Sequence, residues 1–258
     1  MTTFTHQDGQ YVSVDGARLY VEQRGQVDGP ALVFLHGGFD TIETFNALTP
    51  RLGRTHRLIG IDSRGQGRST MGDGPLTYRR IETDVISVLD HLGIDRCRII
   101  GHSDGGIVAL RLAASTPALV DKIVAIGAHW TLPQDDPARK KIAAITPSRW
   151  REMFPNSVDR YLALNPEPAF EHLTEAVVTM WLANDADGYP GETIQRITCD
   201  TLVIRGDEDS LVSRTNTLEL VEQVARARLA VLPFTGHAPH EDKADWVLSL
   251  IEAFLQAE

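Results

Sequence analysis

One serine in this chain has the surroundings that nucleophilic catalysis requires. Residues 99–106 read IIGHSDGG, and apolar residues follow at helical spacing. This pattern predicts a buried strand, a sharp turn that carries Ser103, and a helix. A serine hydroxyl attacks a carbonyl carbon only when it is exposed and a base takes its proton. Gly101 and Gly105 fit this interpretation, because a side chain at either position would collide with the strand and helix around the turn. A helix N-cap is the alternative role of Ser103.

A second glycine-rich segment could supply the hydrogen-bond donors that such an attack needs. Residues 31–35 read ALVFL, a run typical of a parallel strand covered on both faces, and HGGF follows. Attack on a carbonyl places negative charge on its oxygen, and each backbone N–H aimed at that oxygen contributes about 2.7–4 kcal/mol. The N–H groups of Gly38 and Asp104 are the predicted pair that forms this oxyanion hole. A simple glycine turn after the strand is the alternative.

Three acidic residues follow a later strand. Residues 201–205 read TLVIR and are followed by GDEDS. A carboxylate there would lie at the carboxyl edge of the sheet, where open α/β sheets keep their sites. It would orient a histidine and stabilise the charged form of its ring. Asp207, Glu208 and Asp209 all qualify, and the spacing does not separate them. For any one of them, a solvated loop carboxylate is the alternative.

The last strand of the chain precedes the candidate base. Residues 229–234 read LAVLPF and TGH follows, so His237 is predicted to lie at the same edge of the sheet, with His240 as the second candidate. An unengaged surface histidine is the alternative. The chain order serine, acid, histidine is one of three known for such a triad. A metal site of His237, His240 and Glu241 is disfavoured, because its spacing matches no zinc motif, and no metal is expected.

Together these segments resemble the α/β-hydrolase superfamily from about residue 11 to the end of the chain. Residues 62–69, DSRGQGRS, are similar to the D-x-R-G-x-G-x-S loop of many esterase-like members. In that superfamily the acid typically lies three residues past the glycine that ends its strand, which implies Asp209. A Gly-His pair in the final loop implies His237 rather than His240. The resemblance thus implies an esterase-like enzyme in which Ser103 is the nucleophile.

Asp104, directly after the predicted nucleophile, is also a candidate substrate-binding residue. The segment GHSDGGI is similar to the corresponding turn of the biphenyl-hydrolase-like enzymes, which split α-amino acid esters. The similarity implies that the Asp104 carboxylate pairs with an amine of the substrate. The chain differs in having His102 where those enzymes carry a tryptophan, and in its Gly38-Phe39 loop, where Phe39 is a second candidate substrate contact. The alternative role of Asp104 is to stabilise the helix dipole, worth about 0.3–1 kcal/mol.

The remaining pattern predicts the elements that must position these residues. Residues 11–21 alternate around Asp15-Gly16, which indicates a β-hairpin. Strands then alternate with helices, which predicts an α/β fold with a doubly wound, mostly parallel sheet of about eight strands. The predicted strands lie near residues 31–36, 57–62, 97–101, 122–127, 200–205 and 228–233, and the predicted helices near 43–52, 78–92, 105–116, 213–225 and 241–256.

A helical, proline-containing stretch at residues 131–196 interrupts this alternation. We interpret it as a helical lid inserted after strand six, so that residues 1–130 and 197–258 form the core domain. A lid there would cover the carboxyl edge of the sheet and exclude water from the reaction. Plausible pocket-lining residues in or beside it are Trp130, Trp150, Met153 and Trp181.

The composition is that of an ordinary globular protein. Of 258 residues, 42% are hydrophobic and 23% charged, and the net charge of −10 argues against nucleic-acid binding, which needs a basic face. No apolar stretch is long enough to predict a membrane span, and no secretory signal is visible. Cys97 and Cys199 each stand at the start of a predicted strand, as buried reduced thiols do. We expect a cytoplasmic monomer or homodimer.

The sequence therefore predicts a serine hydrolase that cleaves a carboxylic ester of a small molecule through an acyl-enzyme intermediate, without a cofactor. The same three residues could instead serve a carbon–carbon bond hydrolase, a lactonase or a perhydrolase. A receptor that binds a ligand on this scaffold and turns it over slowly is an alternative outside enzymology. Multiple turnover of short p-nitrophenyl esters distinguishes the enzyme from the receptor.

Overall fold

An eight-stranded sheet forms the centre of the protein, of which a computed structural model describes residues 2–257. The strand order is β1-β2-β4-β3-β5-β6-β7-β8. The pairs β1–β2 and β2–β4 are antiparallel and all other pairs are parallel, which confirms the predicted fold class. The strands are Gln10–Val14 (β1), Ala17–Gly25 (β2), Ala31–Leu35 (β3), Arg57–Ile61 (β4), Cys97–His102 (β5), Val120–Ile126 (β6), Asp200–Gly206 (β7) and Ala227–Leu232 (β8).

The strand β3 shows why the central strands are apolar throughout. Successive side chains of a strand point to opposite faces of the sheet. Leu32 and Phe34 pack into the apolar cluster on one face, and Val33 and Leu35 pack into the cluster on the other. Helices cover both faces, so neither set of side chains reaches water, as expected for this run. The predicted hairpin at Asp15-Gly16 joins β1 to β2.

The helices follow the predicted order, but two of the predicted helices are each divided into two shorter elements. The predicted helix 43–52 is a 3-10 turn, Ile42–Phe45, followed by a separate short helix that begins at Thr49 and has Pro50, a residue that favours the first turn of a helix, as its second residue. The predicted terminal helix 241–256 is interrupted at Lys243, whose φ of −137° is not helical. The helices are Thr49–Leu52 (α1), Tyr78–His91 (α2), Asp104–Ser115 (α3), Pro137–Ala143 (α4), Pro147–Met153 (α5), Pro155–Leu164 (α6), Phe170–Leu182 (α7), Arg214–Gln223 (α8), Pro239–Asp242 (α9) and Ala244–Gln256 (α10), with a second 3-10 turn at Gly191–Arg196.

Four helices, α4 to α7, lie between β6 and β7 and are called the inserted helices below. Proline at the start of α4, α5 and α6 fixes a helical φ where no intrahelical N–H bond is needed. The treatment of residues 131–196 as a separate lid, and of 1–130 with 197–258 as the core domain, stays a prediction. Met1 and Glu258, which that core includes, lie outside the described residues. Among the described residues, no helix has both the length and the apolar character needed to cross a bilayer.

Candidate active site

Ser103 lies on the tight turn between β5 and α3, in a strained backbone conformation with φ 50° and ψ −115°. Its N–H donates to the carbonyl of Ile126 at 2.8 Å, which holds the turn against β6. The two flanking glycines are required by close packing. A Cβ at Gly101 would lie 2.2 Å from the carbonyl oxygen of Gly105, and a Cβ at Gly105 would lie 1.9 Å from that of Leu35. The backbone can therefore make this turn, which exposes the serine, only because residues 101 and 105 are glycines.

The structure brings Ser103, His237 and Asp209 together. His237 Nε2 lies 3.0 Å from Ser103 Oγ, and His237 Nδ1 lies 2.9 Å from Asp209 Oδ2. The other oxygen of Asp209 accepts the N–H groups of Leu211 at 2.8 Å and Val212 at 3.0 Å. Burial raises the pKa of Asp209, but the hydrogen bonds from His237 and the two N–H groups outweigh it, and the net pKa is lowered. Asp209 thus stays ionised and orients the imidazole so that its Nε2 faces the serine hydroxyl.

The other candidate acids and the second candidate histidine do not contact Ser103 or the His237 ring. The half-buried Asp207 faces the N–H of Thr235 at 3.4 Å, and Glu208 is exposed. His240 is fully buried with its Nε2 3.3 Å from Thr44 Oγ1, and burial lowers its pKa to about 3. It is therefore a neutral core histidine. The two histidines of the rejected metal motif face different partners, and among residues 2–257 no cluster of potential metal ligands occurs.

The predicted oxyanion donors belong to two residues, Gly38 and Asp104, that line the same cavity as Ser103. Within the described chain, neither the N–H of Gly38 nor that of Asp104 donates to another protein atom. A Cβ at Gly38 would lie 2.5 Å from the indole of Trp181 and 2.9 Å from Asp104 Oδ2, so only glycine fits there. Both N–H groups are thus free to donate hydrogen bonds to an oxygen that develops negative charge.

Residues 62–69, which the sequence assigned only by resemblance, support the loop that carries Gly38. The side-chain oxygen of Gln66 accepts the N–H of Phe39, the residue after Gly38. His36 Nε2 accepts the N–H of Ser63 at 2.9 Å. This loop therefore has a positional role that its sequence did not reveal.

Asp104 has one satisfied and one free carboxylate oxygen. Its Oδ1 accepts hydrogen bonds from the hydroxyl of Tyr78 at 2.8 Å and from Trp181 Nε1 at 2.7 Å. Its Oδ2 is buried and has no partner within residues 2–257. Burial raises the pKa of Asp104, and the two hydrogen bonds only partly offset this. The free oxygen belongs to a residue that lines the cavity in front of Ser103.

Phe39, the second candidate substrate contact, packs against two tryptophans of the inserted helices. Its backbone is left-handed, with φ 59°, and its ring is buried against Trp150 and Trp181, with ring centres 4.3 and 5.6 Å away. Phe39 does not line the cavity, whereas Trp150 and Trp181 do. Direct contact of Phe39 with a substrate stays a prediction.

A mainly apolar cavity of about 580 Å³ opens in front of Ser103. Trp150, Met153 and Trp181 line it, as the sequence suggested, and Trp130 does not. The sequence missed His129, which follows β6 and also lines the cavity. The position of His129 directly after a strand could have indicated that it lies at the site, but no residue in the sequence pattern suggested what it does there. The dimensions suit a small molecule held mostly by apolar contact.

His102, also unassigned from the sequence, holds the backbone of the candidate base. Its Nε2 lies 3.1 Å from the carbonyl oxygen of His237, and the two rings are 5.1 Å apart. Burial and the neighbouring histidines lower the pKa of His102 well below its ordinary value, so the ring is neutral. A carbonyl only accepts, so the Nε2 carries the proton and donates it. The turn of Ser103 is thereby tied directly to the loop of His237.

Comparisons with known proteins agree with this architecture. The alpha/beta hydrolase family matches residues 32–250. Esterase YbfF of Escherichia coli (strain K12) is 28% identical over 243 residues, covering 90% of this chain and 95% of that protein. Serine hydrolase BPHL of Homo sapiens is 27% identical over 264 residues, covering 95% and 85%. The solved meta-cleavage product hydrolase from Pseudomonas fluorescens IP01 superposes with a TM-score of 0.81 at 22% identity, covering 96% and 97%, and shares the fold.

Proposed function

The chain belongs to the alpha/beta hydrolase family, and on that basis we propose that it is a serine hydrolase that cleaves a carboxylic ester of a small molecule. The observation that carries the proposal is the continuous hydrogen-bonded line from Ser103 Oγ through His237 to Asp209. Relatives that cover most of this chain include a protein described as an esterase and one described as a serine hydrolase, which supports ester cleavage. The mostly apolar cavity supports a small-molecule substrate.

The first half of the reaction acylates the serine. Ser103 Oγ attacks the carbonyl carbon of the ester while its proton passes to His237 Nε2. The ionised Asp209 stabilises the imidazolium that forms. The N–H groups of Gly38 and Asp104 bind the oxygen that becomes negative. When the tetrahedral intermediate breaks down, the C–O bond to the alcohol breaks and His237 gives its proton to the departing oxygen.

The second half releases the acid. A water molecule gives a proton to His237 Nε2 and attacks the acyl carbon, and the same oxyanion donors bind the new negative charge. The intermediate then breaks its bond to Ser103 Oγ, which takes back the proton from His237. Every proton in the cycle is carried by His237, so no cofactor is needed.

A substrate that carries an amine is favoured by the free Oδ2 of Asp104. A buried carboxylate with an unpaired oxygen is costly, and a positively charged group beside it offsets that cost. The position of this oxygen on a cavity-lining residue beside Ser103 supports an α-amino ester, in which the amine is close to the carbonyl that is attacked. Proton transfer in the reaction itself does not require Asp104.

Labelling of the serine tests the proposal directly. A fluorophosphonate probe should label Ser103, as identified by peptide mass spectrometry, and short p-nitrophenyl esters should be turned over many times. Ser103→Ala should lower kcat by about six orders of magnitude, or about 8 kcal/mol of barrier. Ser249→Ala is the matched control, because Ser249 is exposed on α10 and does not line the cavity, and it should keep full activity. A Ser103→Ala enzyme with a tenth of the activity would exclude the mechanism, and a single turnover per molecule would favour a receptor.

A further inference from the structure

Two positively charged side chains at the cavity have no acidic partner among residues 2–257. Lys141 of α4 and Arg149 of α5 both line it, and both are exposed. Lys141 Nζ donates to the carbonyl oxygen of Ser210 at 2.7 Å, which holds the ammonium beside the cavity. Within residues 2–257, no carboxylate lies within 4.0 Å of either cation, and the Arg149 guanidinium makes no hydrogen bond. Both charges therefore remain available to a ligand.

Other arginines of the inserted helices are engaged. Arg151 pairs with Glu171 at 2.8 Å. Arg160 lies 3.9 Å from Asp40 and 3.8 Å from Glu43. The chain as a whole has a net charge of −10, so acidic partners are abundant in it. Among residues 2–257, Lys141 and Arg149 are the cavity-lining cations, and neither has such a partner.

The carboxylates that line the same cavity do not cancel these charges. Asp40 is half-buried and faces Arg160, and Asp104 is buried beside Ser103 with its Oδ1 bound to Tyr78 and Trp181. The remaining lining is mostly apolar. A ligand that fills the apolar part of this cavity and pairs with the two cations has an apolar body and a negative charge.

We propose that Lys141 and Arg149 bind a carboxylate of the substrate, so that the preferred substrates are esters with an apolar body and a terminal carboxylate. This inference rests on the proposed ester hydrolysis and adds the substrate class. Guanidinium and ammonium groups recognise carboxylates by charge-assisted hydrogen bonds. At an exposed position each contributes modestly, about two- to fivefold in kcat/KM. The carboxylate can belong to the acyl part or to the alcohol part of the ester, and the experiment includes one pair of esters for each case.

The experiment compares esters that differ only in this charge. The acyl-side pair is the p-nitrophenyl monoester of suberic acid and the p-nitrophenyl ester of its monoamide. The alcohol-side pair is the butyrate ester of para-hydroxybenzoate and that of para-hydroxybenzamide. We expect the charged member of at least one pair to have the higher kcat/KM, and the advantage to shrink at high salt. Lys141→Gln and Arg149→Gln should each reduce the charged-to-neutral ratio about two- to fivefold.

Lys140→Gln is the matched control. Lys140 is exposed on the same helix and does not line the cavity, so its removal changes the net charge equally and should leave the ratio unchanged. Equal kcat/KM values within both pairs would overturn the inference, as would a preference that survives both Lys141→Gln and Arg149→Gln.

A binding measurement separates this inference from the proposed function. Octanoate should bind Ser103→Ala more tightly than octanamide does, and adding both Lys141→Gln and Arg149→Gln to Ser103→Ala should remove the difference. If no ester is turned over while this carboxylate preference is present, ester hydrolysis is wrong and the anion site stands. If neutral esters are turned over and no carboxylate preference occurs in either assay, only the anion site is wrong.

Discussion

Loss of the proton from His6 should destabilise the folded protein at alkaline pH. The side chain of His6 is buried between two carboxylates, with Nδ1 2.7 Å from Glu43 Oε1 and Nε2 2.9 Å from Asp62 Oδ2. Burial lowers the pKa of His6, but the two carboxylates outweigh it and raise the pKa from 6.5 to about 9. Both ring nitrogens act as donors, so the folded state holds the charged form of this histidine at neutral pH.

The expected size of the effect follows from the two pKa values. A pKa raised from 6.5 to about 9 corresponds to about 3 kcal/mol of stabilisation. Because the folded-state pKa is the higher one, this contribution is complete below pH 6.5 and is lost as the pH rises towards 9. His102, His129 and His240 have lowered pKa values, so these residues make stability depend on pH only below about pH 6.5, outside the pH range in which the contribution of His6 is lost.

Equilibrium unfolding in urea at pH 6 and pH 9 measures the effect. The native protein should lose about 3 kcal/mol more stability between these pH values than His6→Gln, which has no charge to lose. His172→Gln is the control, because His172 is exposed and should leave the pH dependence unchanged. If the free energy of unfolding decreases by the same amount between pH 6 and pH 9 in the native protein and in His6→Gln, the charged state assigned to His6 is wrong. Any contribution from thiols is common to all three proteins and cancels.

The remaining predictions concern two residues at the site. Asp104→Asn keeps the shape of the side chain but removes its charge, so kcat/KM for α-amino esters should fall about tenfold or more beyond the loss for neutral esters; equal losses would exclude an amine at Asp104. His102→Leu removes the hydrogen bond to the carbonyl of His237 and should lower kcat about tenfold with little change in KM. His102→Gln can donate the same bond and should recover most of kcat, and identical kcat values for Leu and Gln would show that the bond does not position His237.

The sheet and the serine turn could be predicted because their signals are local. An apolar strand, two glycines and an apolar helix follow one another within residues 97–115, and close packing at Gly101 and Gly105 explains that order physically. The choice of Asp209 and His237 over their neighbours was different. It depended on a family resemblance, because Asp207, Glu208 and Asp209 occupy one loop and only the three-dimensional path decides which carboxylate meets the imidazole.

Contacts between distant segments were not predictable from the pattern. His6 meets Glu43 and Asp62, which are 37 and 56 residues away, and Trp181 meets Asp104 across 77 residues. Periodicity marks which face of a helix is buried but does not identify the residue it will meet. The orientation of Phe39 was missed for a related reason, because a left-handed φ at a non-glycine residue has no signature in the sequence.

Asp104 couples the reaction centre to the inserted helices. Its N–H is a candidate oxyanion donor, fixed by the turn of Ser103, while its carboxylate is held by Tyr78 of α2 and Trp181 of α7. A shift of α7 would therefore reorient the free Oδ2 of Asp104 and change the polarity of the cavity beside Ser103. It would not move the candidate oxyanion donor, because that N–H belongs to the first turn of α3. Under the proposed function, substitutions in the inserted helices, which also carry Lys141 and Arg149, should therefore change substrate preference more than they change the contacts among Ser103, His237 and Asp209.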